Sequence, residues 1–255
     1  MKVLAIIQVR MGSTRLPGKS LEDIAGQTLI AHVIDRTLAC KTVGRVLIAT
    51  TRGPEDDPLE EAARAKEVGI FRGSADDVLD RFYQAATEEG CDIIVRITAD
   101  DPFKDPGIVD EITQRLLQDN TLDYASNTIE PTYPEGLDVE VFRYTALARA
   151  WRDAKLPSER EHVTPYIWKN THIFRVLSIT TKPDLSHLRW TLDYREDLDF
   201  TRAIYARLYK GSIFTTAELL ALLEREPELK ELNKHFVRNA GYIKSVENEL
   251  QIHTP

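Results

Sequence analysis

The 255-residue chain is predicted to fold as an α/β protein, a Rossmann-like, mostly parallel sheet flanked by helices with a small antiparallel excursion. Three observations predict it. Through the first half, short apolar β-branched runs alternate with segments whose apolar residues recur at three and four, the pattern of strands joined by crossover helices. Two of those runs empty into polar turns, at residues 8–19 and 99–102, as strands of open sheets do where they collect ligands. From Tyr124 the alternation stops, and a period-two stretch follows at residues 137–142.

Taken in order, Val3 to Ile7 form a buried strand. Leu29, Ile30, Val33, Ile34 and Leu38 give one face to a helix over residues 28–40. Residues 45–50 read as a second strand, and the helix after it starts at Asp56, Asp57 and Pro58 and ends by Gly69. Ile70 and Phe71 form a short strand, after which Ser74 is the expected N-cap of a helix burying Val78, Leu79, Phe82, Tyr83 and Ala86. Residues 92–98 are a buried strand ending in Asp100, Asp101 and Pro102, where two acids before a proline also suit a plain turn. Asp105 and Pro106 open a helix carrying Ile108, Val109, Ile112 and Leu116.

In the period-two stretch Leu137, Val139 and Val141 share one face, and Asp138 and Glu140 the other. A strand solvated on one side is expected there. Ser158 with Glu161 reads as a capping box, Leu188 to Leu192 as an alternating strand leading into a helix with Leu198, Ile204 and Leu208 inward, and Thr215 with Glu218 as a further helix start. The tail from about Lys230 carries no strong pattern and is assigned no chemistry. Residues 1–210 are expected to form one domain, with the excursion at about 124–180, and residues 211–255 a helical extension.

The composition is that of a soluble globular protein, with 29% charged and 42% hydrophobic residues. No apolar run approaches a membrane span, and Met1-Lys2 leads into a strand instead of a signal peptide. Cys40 and Cys91 fit neither a disulfide framework nor a zinc cluster, so a cytoplasmic location is expected.

The stretch Gln8-Val9-Arg10-Met11-Gly12-Ser13-Thr14-Arg15-Leu16-Pro17-Gly18-Lys19 carries three cations, and no acid precedes Glu22. A Gly/Ser loop after a strand presents backbone N–H groups, and with Arg10, Arg15 and Lys19 it suits a triphosphate. At an effective dielectric near 20, each cation–phosphate pair at about 4 Å is worth roughly 4 kcal/mol before desolvation. The glycine spacing is neither a P-loop nor a dinucleotide fingerprint. Taken alone it also fits a basic surface loop. The formal net charge of -8 makes the positive island distinctive: it points to a small anionic ligand and away from a nucleic-acid backbone, which needs a broad basic face.

The segment from Ile7 to Lys19 resembles the nucleotide loop of the sugar cytidylyltransferases, the group containing CMP-KDO and CMP-sialate synthetases, and most of all the branch of spore coat polysaccharide biosynthesis protein F. The resemblance covers roughly residues 1–210. It implies a nucleotide-diphospho-sugar transferase fold, with CTP and a small anionic sugar as substrates, Mg²⁺ as cofactor and a homodimer formed through the excursion; nucleic acid and membrane are not expected partners. It implies that Gln8, Arg10, Met11, Gly12, Ser13, Arg15, Lys19 and Thr98 bind the nucleotide, with Arg72, Gly73 and Ser74 lining the base and ribose pocket. Asp100 matches the family aspartate that binds Mg²⁺, and Asp193 the one that completes the metal site. Tyr194-Arg195 stands where Thr-Pro is usual in the family. Arg160 and His162 match positions near the sugar pocket, although a lone histidine is more often structural. Glu135 and Asp138 read either as acceptor contacts or as a solvated strand face, and the acceptor's carboxylate is expected to meet Arg160, Arg189 or another cation. Two rival readings keep the fold: transfer from a different NTP, or glycosyl transfer, toward which Asp138-Val139-Glu140 only approximates a metal motif. A third is a catalytically silent nucleotide-binding protein.

Overall fold

A computed structural model describes residues 1–252, so the last three residues of the expected helical extension lie outside the described part. In chain order, β1 (Val3–Gln8) is followed by a hairpin of β2 (Asp23–Ile24) and β3 (Gln27–Thr28), then α1 (Leu29–Leu38), β4 (Arg45–Thr51), α2 (Asp57–Ala65), β5 (Gly69–Gly73), α3 (Val78–Glu89), β6 (Ile93–Thr98) and α4 (Pro106–Gln118). Next come β7 (Tyr124–Ser126), β8 (Glu140–Arg143), α5 (Tyr144–Asp153), α6 (Pro157–His162), α7 (Pro165–Lys169), β9 (Val176–Ser178), α8 (Arg195–Leu208), α9 (Thr216–Arg225) and α10 (Ala240–Ile252).

A seven-stranded sheet runs in the order β5-β4-β1-β6-β8-β7-β9. β1 lies between β4 and β6, parallel to both, because its apolar residues face helices on each side of the sheet. Ala5 and Ile7 join Val33, Val95, Val109, Leu198 and Ile204 in one core layer; Leu4 and Ile6 join Leu79, Phe82, Tyr124, Phe142 and Ile167 in the other. Each buried Leu, Ile or Phe side chain contributes about 1.5–3 kcal/mol, so the centre of the sheet is the rigid base on which the loops stand. Among the described residues, no helix is long and apolar enough to cross a membrane.

The antiparallel excursion is present: β8 is antiparallel to both β6 and β7, while β7 and β9 pair in parallel. Its solvation differs from expectation. Residues 137–142 are not solvated on one side, because β8 inserts between β6 and β7 and is covered on both faces. Glu140 is buried there because Arg96 pairs with it and Tyr124 Oη and Thr164 Oγ1 donate to it, a neutralised pair in place of a wet surface.

Three local expectations are corrected. The N-cap of α3 is Asp77, which accepts from Asp80 N at 2.9 Å; Ser74 Oγ instead accepts from Asp77 N at 3.0 Å, one turn earlier. α6 begins at Pro157, so Glu159 is its third residue and accepts from Leu156 N at 3.3 Å, while the Ser158 hydroxyl donates to Glu249 at 3.0 Å. Leu188 to Leu192 form no strand, only a bridge between Glu135 and Arg189. That bridge explains Gly136: its φ of 104° and the 2.6 Å separating a hypothetical Cβ from Thr191 N leave room for no side chain where the two segments meet.

Candidate active site

The site stands at the carboxyl ends of β1 and β6. After β1 the chain loops outward until Gly18, whose φ of 73° turns it into a 3-10 turn at Lys19–Leu21 and aims Lys19 back over the sheet. The Lys19 ammonium lies 2.9 Å from Asp100 Oδ2 and 2.8 Å from Asp193 Oδ1, and donates to Leu192 O at 2.9 Å. Arg15 Nη2 donates to the same Asp193 oxygen at 2.7 Å. Leu192 N donates to Asp100 O at 2.7 Å, so the backbones carrying the two aspartates are joined directly.

Electrostatics follow from this arrangement. Burial by itself would push the Asp100 carboxyl up, but the Lys19 ammonium outweighs it and brings the group down to about 2. Burial likewise works against the Lys19 charge, and Asp100 and Asp193 together hold its pKa above the ordinary value. Asp101 belongs to a different environment. It is 3% exposed, accepts from Thr98 Oγ1 at 2.7 Å and from Lys104 Nζ at 2.8 Å, and burial pushes it up to about 7 against the pull of Lys104. The Thr98 side chain thus serves the turn that presents Asp100.

Among the described residues, no group of three or more His, Cys, Asp or Glu is arranged to hold a metal ion. Two converging carboxylates, already sharing one cation, are nevertheless the donor set that Mg²⁺ takes when phosphates and water complete its shell. The residues present therefore fit that ion.

The remaining loop residues form a frame. Gln8 Oε1 accepts from Arg96 Nη2 at 3.1 Å, and Ser13 N donates to Met11 O at 2.9 Å. Arg10 is exposed, and a Cβ at Gly12 would meet nothing within 4 Å, so this part of the loop is open. Its anchor is a residue read from sequence only as a helix start. Asp56 is fully buried and accepts from Met11 N at 2.7 Å, Thr50 Oγ1 at 2.7 Å, Thr51 N at 3.0 Å and Thr51 Oγ1 at 2.6 Å. Despite burial, these donors hold its pKa below the ordinary carboxylate value. Asp56→Asn would turn an amide NH₂ toward donors that now meet an oxygen. The variant is expected to lose about 2 kcal/mol of stability in urea unfolding and to raise the KM for nucleotide about tenfold, measured by steady-state kinetics.

Arg72 is committed to structure: its Nε donates to Thr51 O at 2.8 Å and its Nη1 meets Asp57 at 2.7 Å and Glu60 at 2.6 Å. Gly73 is required because a Cβ would stand 2.8 Å from Arg81 Cγ; Arg81 crosses it to donate to Ser74 O at 2.8 and 2.6 Å. The loop after β5 is therefore shaped by Arg81, which its place inside a helical pattern did not reveal.

The residues matched to a sugar pocket divide into two groups. Arg189 is 7% exposed, with Nε and Nη2 each 2.9 Å from Asp197 and Nη1 2.7 Å from Glu135. Asp197 also accepts from Asp193 N at 2.9 Å, which ties this cluster to the Lys19 site. Asp138 accepts from Arg238 Nη2 at 2.6 Å. Arg160 and His162 are engaged elsewhere: Arg160 Nε donates to Asp77 at 2.9 Å, and His162 Nε2 lies 3.0 Å from Ser245 Oγ in α10. Asp197 and Arg238 had no sequence signal beyond their charge, since their partners lie in distant segments.

Comparison with known proteins agrees with this architecture. The family profile described as cytidylyltransferase matches residues 4–240. The spore coat polysaccharide biosynthesis protein SpsF of Bacillus subtilis is 33% identical over 233 residues, covering 89% of this chain and 95% of that protein. The 3-deoxy-manno-octulosonate cytidylyltransferase of Geobacter sulfurreducens is 36% identical over 120 residues, 46% of each chain. A solved cytidylyltransferase from Leptospira borgpetersenii superposes with a TM-score of 0.88 at 32% identity, over 93% of this chain and all of its own. With the match running from β1 to the start of α10, and that solved structure sharing the fold along almost its whole length, the chain belongs to the cytidylyltransferase family of nucleotidyltransferases.

Proposed function

We propose that the protein transfers CMP from CTP to a hydroxyl of an acidic sugar or related polysaccharide precursor, in a magnesium-dependent reaction that releases pyrophosphate. The observation that carries this reading is the bridging of Asp100 and Asp193 by one ammonium, 2.9 and 2.8 Å away, at the mouth of the loop holding Arg10 and Arg15. The names of the spore coat and octulosonate relatives support the acceptor class.

In this reading Arg10, Arg15 and Lys19 bind and neutralise the triphosphate, and Asp100 and Asp193 hold Mg²⁺. The ion supplies Lewis-acid polarisation of the α-phosphate and charge neutralisation. The acceptor oxygen forms its bond to the α-phosphorus as the bond to the bridging oxygen of the β-phosphate breaks. Pyrophosphate leaves with that electron pair, and the proton of the acceptor hydroxyl passes to solvent. Such a step asks the protein for position and charge, not for a covalent intermediate. The same reading includes a homodimer formed through the excursion, where β9 is the edge strand of the sheet, and a cytoplasmic location, in keeping with the buried free thiols of Cys40 and Cys91.

Incubation with each of the four NTPs and a panel of acidic and neutral sugars, following pyrophosphate, tests the proposal. Release with CTP and an acidic sugar is expected. Release only with another NTP, or binding of CTP without turnover on any acceptor, overturns it. Glycosyl transfer is disfavoured by Glu140, which is occupied by Arg96, Tyr124 and Thr164 and so does not form a metal motif with Asp138.

A further inference from the structure

The tail after α9, which no periodicity singles out, returns across the site. Asn233 Nδ2 donates to Asp197 Oδ1 at 2.9 Å and to Arg189 O at 3.1 Å. Phe236 stacks on Tyr194 at 4.0 Å, and Arg15 lies over the same Tyr194 ring, 5.5 Å from its centroid. Asn239 N donates to Glu135 Oε1 at 2.8 Å. Arg238, between them, donates from Nη1 to Tyr133 O at 2.9 Å and from Nη2 to Asp138 Oδ1 at 2.6 Å. The segment thus spans from beside the triphosphate loop to the acidic residues at the excursion.

An anionic acceptor on this side of the site would lie among the partly exposed carboxylates of Glu135, Asp138 and Asp193, and needs a cation with a donor to give. Arg189 is not that cation, because Asp197 and Glu135 take its Nε and both terminal nitrogens. Arg160 is held by Asp77 and by Trp151 O. Arg238 differs: its Nε is buried and, among the described residues, has no hydrogen-bond partner. A buried N–H without an acceptor costs about 1–3 kcal/mol, and such a group beside a reaction centre calls for a partner that arrives with the ligand.

We propose that Arg238 receives the carboxylate of the acceptor sugar, with the Asp138 carboxylate occupying the place that the acceptor's carboxylate takes, so that residues 233–239 form one wall of the acceptor site and select acidic sugars. This rests on the acceptor class proposed above. The planar guanidinium suits a carboxylate, since two of its N–H groups can meet two oxygens at once. Asp138 is then a competitor for Arg238, and its removal has the opposite sign to removal of the arginine.

The test is calorimetric binding of 3-deoxy-manno-octulosonate, N-acetylneuraminate and their methyl esters, with CTP as a separate ligand, to the full chain and to Arg238→Met, Arg238→Lys and Asp138→Asn. For the free acids, Arg238→Met is expected to weaken binding about 10- to 100-fold, the worth of a charged hydrogen-bonded pair, and Arg238→Lys to restore part of it. Ester binding and CTP binding stay within about twofold, and Asp138→Asn binds the acids more tightly than the parent chain. The proposal is overturned if Arg238→Met leaves acid binding unchanged, if Asp138→Asn weakens it as much as Arg238→Met does, or if the parent chain binds no acid better than its ester. If the acids bind with this pattern but CTP is neither bound nor turned over, the role of Arg238 stands and the cytidylyl-transfer reading fails. If CTP is used with neutral sugars only, transfer stands and Arg238 is not an acceptor residue.

Discussion

Asp193→Asn and Asp100→Asn are each expected to reduce turnover about 10³-fold while the protein stays folded. The fold tolerates either change because each removes one charge from a shared arrangement. In Asp100→Asn, Lys19 keeps Asp193 at 2.8 Å and Leu192 O at 2.9 Å. In Asp193→Asn, Lys19 keeps Asp100 at 2.9 Å, and the backbone bond from Asp193 N to Asp197 does not involve the altered side chain. Activity is expected not to tolerate them, because in the proposed reaction these two carboxylates would hold Mg²⁺ and the amide is a poor substitute for either. Pyrophosphate release at saturating CTP, together with circular dichroism and a melting curve, checks both halves. Near-normal turnover in either variant refutes the metal assignment.

The second large effect is expected at Lys19. Lys19→Met leaves Asp100 without its ammonium and Asp193 with Arg15 at 2.7 Å and Arg189 at 3.6 Å, and should remove about 3 kcal/mol of stability at pH 7 as well as nearly all activity. The loss depends on pH in a defined direction. In the parent chain the Asp100 carboxyl is held at about 2, below its ordinary value of 3.8. A depressed carboxyl contributes stability above its unfolded value and loses it as pH falls through the folded one, here between about 4 and 2. That contribution is about 2 kcal/mol. Without the ammonium, burial dominates and the Asp100 carboxyl moves above 3.8, so the variant gains relative to the parent as pH falls. Urea unfolding at pH 7 and pH 3.5 should show the stability difference between the two proteins shrinking at the lower pH. A difference independent of pH would mean that Asp100 and Lys19 are not electrostatically linked.

Much of this protein was readable along the chain, because the signals are local. The crossover pattern of β1, α1, β4, α2, β5, α3, β6 and α4 follows from the three-and-four and continuous apolar spacings, and the helix boundaries at Thr28, Asp105 and Thr215 follow from caps that lie within four residues of their partners. Arg15, Lys19 and the two aspartates could be named from residue type and family resemblance, and these four meet in space across as many as 178 positions of sequence, while Arg10 stands exposed on the same loop.

Tertiary structure alone decided the rest, wherever a side chain's environment is supplied by a distant segment. Alternation at Asp138 and Glu140 reads the same for a wet face as for a buried one; Arg96, brought alongside by β6, makes it buried. Asp56 looks like any acid at a helix start until Met11 N is folded onto it. The stretch from 233 to 239 has no periodic stripe because it packs on loops and charged residues, not on a sheet face, so Asn233, Phe236 and Arg238 acquire their meaning only from Asp197, Tyr194 and Asp138. Periodicity records which face of an element is covered; it does not record what covers it.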